Sequence, residues 1–144
     1  MNRFGPMTVI AVISAYLFLS SATVLSQNDE AVFAAEKAAR SWLASVDATE
    51  YATSWENSAS FFRAAITSDD WVKAIGGART SFGSMTVRES GSAKYSTTLP
   101  GAPDGEWVVL QLNTTFENKA VAVETVTVMK DLDDKWRVAG YFIR

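Results

Sequence analysis

The chain has no cysteine and no histidine among its 144 residues. The first absence excludes disulfides, thiol nucleophiles and a lipid anchor attached through a cysteine at a cleavage point. The second excludes an imidazole general base, and with it a Ser-His-Asp triad and every zinc site that needs a histidine. Strong charge of one sign is also missing. Thirteen basic residues stand against 16 acidic ones, a net −3, which offers no electrostatic footprint for nucleic acid. The sequence contains no glycine-rich phosphate cradle and no internal repeat. What it does contain is apolar bulk: 48% hydrophobic residues, with five Trp, four Tyr and eight Phe. That is enough for one domain with a real core, and in a chain without disulfides the tryptophans are expected to fill it.

The first 28 residues differ in composition from the rest. A single positive charge, Arg3, precedes the apolar run MTVIAVISAYLFL at 7–19, and small residues follow at Ser20 and Ala22. This is the layout of a secretory signal cut after Ala22. The rival is an uncleaved membrane anchor reaching to about residue 28, since Met7 to Leu25 carries no charge. Either way export is expected, to the periplasm or the medium, with membrane tethering as the alternative. Removal of residues 1–22 leaves a single domain, 29–144, with 12 basic and 16 acidic residues.

From Asp29 apolar residues recur at helical spacing: Ala31, Ala35, Ala38, Trp42 and Val46, with Glu36 and Arg40 placed to pair on the wet side. The segment DATE, 47–50, reads as a capping box that restarts the chain into a second helix through Tyr51, Trp55, Ser58, Phe62 and Ile66. A third helix starts at TSDDW. Thr67 or Ser68 is expected to cap it, Asp69 and Asp70 to favour its first turn, and Gly76-Gly77 to weaken it.

After Gly83 the period becomes two. SMTVRESGSAKYSTTL reads as two strands turning near Ser90-Gly91 or as one strand with a bulge, and three stronger strands follow across the short turns ENK and DLDD. Helices followed by an antiparallel meander make a two-layer α+β domain, with three helices and four or five strands. Between two of the strands lies LPGAPDGEW. Pro100 and Pro103 withhold ladder donors, and Gly101 and Gly105 tolerate left-handed backbone. With Asp104 these residues predict a structured hairpin loop; covering a ligand is its other possible use. DLDD reads as a charged turn, and NTT at 113–115 as a strand segment despite its glycosylation pattern.

The elements SW at 54–55, FR at 62–63, Trp71, Arg79, Gly83, Arg88, LPGAPDGEWVVLQLNTTFENK at 99–119, AVETVT at 122–127 and WRVAGYFIR at 136–144 resemble those of the bacterial family called domain of unknown function 4019. The resemblance spans residues 31–144. It implies a small exported protein with the cone shape of the nuclear transport factor 2-like superfamily, in which helices and a strongly curved sheet enclose a pocket. It implies no activity. Cyclase relatives of that shape use His with Asp, which this chain cannot supply, and the isomerase pattern of acidic base with Tyr and Asp donors has no local match.

Residue pattern singles out one internal cluster. Glu124 shares a strand face with Ala122, Val126 and Val128. Arg79 lies four residues beyond Ile75 and eight beyond Trp71, near the inward stripe of the third helix, so Glu124 is its expected partner. The pair either ties helix to sheet or, with Tyr95 or Tyr141, faces a cavity and holds a polar ligand. Arg88 and Arg137 are expected to snorkel. The function expected is that of a non-catalytic binding or interaction domain for a small molecule or an envelope protein, without cofactor or metal. One alternative is a small isomerase- or hydrolase-like enzyme with Glu124 as base and Tyr141 or Arg79 as helper. The other is a structural module forming a homodimer through an apolar sheet face to which Trp107, Val109, Val121, Val123 and Thr125 contribute.

Overall fold

The computed structural model describes residues 25–144. Its first element is α1 (Gln27–Asp47). Ser26 caps it: the hydroxyl accepts from the Asp29 N–H at 3.2 Å, and the Asp29 carboxylate accepts in return from the Ser26 N–H, which satisfies donors at both ends of the first turn. Ala31, Ala35, Ala39, Trp42, Leu43 and Val46 form the buried stripe, and Glu36 pairs with Arg40 at 2.8 Å on the wet side. The signal expected over 1–22 lies outside the described residues. The membrane-anchor alternative is corrected where it can be seen. Ser26 to Asn28 are the cap and first turn of α1, and among the described residues no helix is long and apolar enough to cross a membrane.

The segment 47–50 does not form the expected capping box. Asp47 closes α1, and Glu50 precedes α2 (Tyr51–Glu56) without any side-chain cap. The chain turns through Thr49 at φ 62°, which leaves the Asp47 carboxylate free for other partners. The single helix expected from Tyr51 to Ile66 is broken into α2 and α3 (Ser60–Ala65). The break has a tertiary cause. The Ala59 N–H bonds the Val138 carbonyl at 2.8 Å, and Asp131, from the far end of the chain, accepts from the Ser60 N–H at 2.9 Å and from its hydroxyl at 2.6 Å. The described residues thus form four helices, not three. The last, α4 (Ser68–Phe82), is capped by Thr67 and runs through Gly76-Gly77 without a break, Gly76 lying against the Tyr51 ring.

Four strands follow: β1 (Met85–Ser96), β2 (Trp107–Phe116), β3 (Lys119–Lys130) and β4 (Trp136–Ile143). They pair antiparallel in the order β1-β2-β3-β4. β1 is one strand with a register shift between Ser90 and Ser92. Glycine permits the bulge, because a Cβ on Gly91 would lie 2.9 Å from the Gln111 carbonyl oxygen. The domain is α+β, but the expected nuclear transport factor 2-like cone is not built. The sheet is neither closed nor curled, and β1 and β4 are its opposite edges. Hairpin turns pair each strand only with its chain neighbours, and the edge of β4 is engaged by the start of α3 at Val138.

The helices cover one face of this sheet. Val108, Leu110, Leu112, Val126, Val128 and Val138 meet α1 and α4 there, around an aromatic stack. Trp42 lies 5.6 Å from Trp71 and 5.4 Å from Tyr141, and Phe62 lies 5.1 Å from Trp71. The tryptophan N–H groups are satisfied inside, Trp42 donating to the Ser54 carbonyl and Trp71 to the Ser54 hydroxyl. α3 straddles the β4 edge, so that Phe62 enters this core while Phe61 packs edge-on against Trp107, 5.7 Å away, on the other face.

The 99–105 loop joins Phe61 on that outer face. Leu99 and Ala102 pack with Trp107, Ala139 and Met129, and Trp107 Nε1 donates to the Pro103 carbonyl at 3.1 Å. Pro100, Pro103 and Asp104 shape a hairpin loop that covers one end of the sheet. Of its two glycines only Gly101 is left-handed, at φ 76°; Gly105 is not, and a Cβ there would meet only the Trp107 indole nitrogen at 3.6 Å. Gly101→Ala is therefore expected to cost about 1–2 kcal/mol of unfolding free energy, and Gly105→Ala almost nothing. Urea unfolding of the two variants checks this, and equal losses would refute it.

Candidate functional site

Four charged side chains from four elements meet where the end of α1 passes over the sheet. Asp47 comes from the last residue of α1, Arg79 from the last turn of α4, Arg88 from β1 and Glu124 from β3. The register explains the sheet half of the cluster. Arg88 is opposite Thr114, and Thr114 is opposite Ala122, one pleat from Glu124, so all point to the helix side.

The expected direct pair between Arg79 and Glu124 is not made. Arg79 Nη2 donates to Asp47 Oδ1 at 2.7 Å. Arg88 joins the two halves: its Nη1 donates to Asp47 Oδ2 at 2.6 Å, and its Nε donates to Glu124 Oε1 at 2.7 Å. Glu124 is 0% exposed. Its Oε1 also accepts from the Thr114 hydroxyl at 2.6 Å, and its Oε2 from the Tyr141 hydroxyl at 2.5 Å. Every oxygen of this carboxylate is thus engaged, as a buried ion requires. Tyr95 belongs elsewhere: opposite Val108 on β1, it donates to Glu106 at 3.3 Å, beside the Glu106–Lys130 pair.

The electrostatics follow from this wiring. Burial raises the Asp47 pKa, but hydrogen bonds from Arg88 and then Arg79 outweigh it and hold the carboxyl below its ordinary range. Burial likewise works against the Arg88 charge, and its bonds to Asp47 and Glu124 more than compensate, so its pKa is raised. Burial, followed by the Glu124 charge, pushes the Tyr141 phenol well above its usual value. The Tyr141 hydroxyl thus donates to a carboxylate that Arg88 already holds. The guanidinium of Arg79 sits 4.8 Å over the Phe116 ring, and its Nε and Nη1 have no hydrogen-bond partner among the described residues.

Asp47 and Arg88 are the members that sequence reading missed. One signal for Asp47 existed: a carboxylate in the last turn of α1 opposes the helix dipole, and that turn has no basic residue of its own to offset it. Arg88 carried none, because its partners depend on a register set by the Gly91 bulge. In the other charged turn Asp131 and Asp133 are both engaged. Asp131 caps α3, and Asp133 holds Arg137 at 2.6 and 2.7 Å. Among the described residues no group of three or more His, Cys, Asp or Glu is placed to hold a metal ion.

A family model described as a protein of unknown function, DUF4019, matches residues 38–141. Comparisons with curated proteins and with solved structures give no match.

Proposed function

Since the chain belongs to this DUF4019 family, whose description assigns no activity, we propose from the geometry that it is an exported, non-catalytic interaction domain whose outer sheet face takes a second copy of the chain. Export rests on the signal-like layout of residues 1–22. The observation that carries the rest is the contrast between the two faces of the sheet. On the helix side an aromatic stack packs the core and Glu124 is sealed, which takes away the base that the isomerase-like alternative needs.

Among the described residues the outer face is covered only at the end where Phe61 and the 99–105 loop lie on Trp107. Beyond it the register sets residues in open rows. Val87, Thr115 and Val121 lie together, then Glu89, Asn113, Val123 and Arg144, then Gln111, Thr125 and Phe142, then Lys94, Val109 and Thr127. Val121 is 81% exposed, Phe142 61% and Val87 51%. Four strands about 4.8 Å apart and four rows about 6.8 Å apart make an open area of about 500 Å². Two such faces bury about 1,000 Å², the range of reversible association rather than of permanent dimers.

Charge placement favours a second copy as occupant. With a two-fold axis running along the strands, β1 of one copy lies over β4 of the other. Glu89 then faces Arg144 of the second copy, since both belong to one row, and the contact occurs twice. Sedimentation of the mature chain between about 10 and about 500 μM is expected to show reversible dimers. Glu89→Lys and Arg144→Glu should each weaken association about tenfold, and the double variant should recover it. A monomer across the whole range, or a double variant no better than the single ones, would refute this reading.

A further inference from the structure

A pocket of about 330 Å³ opens on the helix side of the domain, between the second half of α1, the end of α2 and the start of β4. Trp42 and Val138, both buried, close it from beneath. Trp136, half-buried against the same core, lines it as well, and Ser41, Ser45, Asn57, Lys135 and Arg137 form a polar rim. The volume lies at the lower end of ligand sites, and an apolar floor beneath a few polar groups is their usual make-up. The walls are held by bonds that leave most of the rim groups free. The Trp42 indole N–H donates to the Ser54 carbonyl at 2.8 Å and to the Ser58 hydroxyl at 3.0 Å, which fixes the floor. Asn57 closes α2 through its backbone N–H. Lys135 is fixed through its backbone too: its N–H donates to Asp133 Oδ1 at 3.3 Å, and its carbonyl accepts from the Asp131 N–H at 2.8 Å.

The chemistry of the lining limits what enters. Among the described residues the Lys135 ammonium has no ion-pair partner, and the side chains of Ser41, Ser45 and Asn57 have no hydrogen-bond partner. Arg137 is answered by Asp133 at 2.6 and 2.7 Å, and no carboxylate lines the pocket. The charge left over is that of Lys135. A ligand for these walls carries one negative charge at one end, for the ammonium and the neutral donors beside it, and a flat apolar body at the other, for the indole of Trp136. Inorganic phosphate meets the first condition and not the second. We propose that this pocket binds a small aromatic carboxylate, with its anion on Lys135 and the neutral donors of the rim and its ring against Trp136. The pocket lies on the face of the sheet opposite to the one assigned to a second copy, so neither reading depends on the other.

The test is an NMR titration of the mature chain with benzoate, phenylacetate and indole-3-acetate in turn. Benzyl alcohol serves as the ring without the charge, and acetate as the charge without the ring. At least one aromatic carboxylate is expected to give saturable shifts at the amides of Ser45, Asn57 and Lys135 and at the Trp136 indole N–H, with benzyl alcohol and acetate each about tenfold weaker or more. Lys135→Met keeps the apolar stem and removes the charge. It should weaken the aromatic carboxylate about tenfold and, as an exposed side chain without an ion pair, leave the unfolding midpoint in place. Four outcomes would each overturn the proposal: no saturable shift with any of the three carboxylates, saturable shifts that map to another part of the domain, benzyl alcohol or acetate binding as tightly as the aromatic carboxylates, or an affinity unchanged in Lys135→Met.

Discussion

Replacing Arg88 with Met is expected to lower the unfolding free energy by about 3–5 kcal/mol, the largest single loss in the molecule. The reason is what the substitution leaves behind. Glu124 is fully closed to solvent and Asp47 is only 21% exposed at its side chain. Arg88 donates to both. Without it Glu124 retains only the hydroxyls of Thr114 and Tyr141, and a buried carboxylate on neutral donors is poorly compensated. Arg79→Met should cost less, because among the described residues Arg79 donates only to Asp47 and two of its nitrogens have no partner. If Arg88→Met melts with the parent, the cluster does not hold the domain together.

Asp47→Asn is expected to cost about 2 kcal/mol at neutral pH, through weakened hydrogen bonds to two arginines, and that cost should shrink in acid. The folded-state pKa of Asp47 lies below its unfolded value. Its contribution is therefore fully present above about pH 4, where the unfolded aspartate ionises, and is lost as pH falls through the lower folded value. Asp131, Asp133 and Glu36 are lowered as well, so the parent's own acid profile mixes several groups. The difference between parent and Asp47→Asn isolates one. Urea unfolding of both proteins from about pH 7 down to about pH 2.5 should show a difference that is flat to about pH 4 and then narrows. A difference that stays constant into acid would mean that Asp47 is not the group held ionised by Arg79 and Arg88.

Much of this architecture is written in local pattern. The α1 stripe, the Thr67 cap, the period-two strands and their short turns depend on neighbours in sequence, and the structure shows them in place. What local pattern could not supply depends on distant partners. The helix from Tyr51 to Ile66 is cut because Asp131 and Val138 claim the backbone at Ala59 and Ser60. The curved cone came from resemblance, and the open order of the strands replaces it. Arg79 and Glu124 were legible as inward polar residues among apolar ones, with Tyr95 or Tyr141 beside them; Tyr141 does lie in their cluster, and Tyr95 does not. The wiring was not legible, because Arg88 reaches Glu124 only through a register shifted at Gly91, and Asp47 sits in a segment with the pattern of a capping box. Phe61, next to Phe62 in sequence, serves the opposite face because α3 sits astride an edge strand, which no periodicity within α3 can reveal.

The central claim is that the buried charges of this domain fasten the helices to the sheet and are not reagents. The coupling between Arg88 and Glu124 tests it most directly, through four unfolding free energies: the parent, Arg88→Met, Glu124→Gln and the double variant. The double variant is expected to be more stable than the sum of the single losses implies, with a coupling of about 2–3 kcal/mol. Losses that add to within about 0.5 kcal/mol would contradict it.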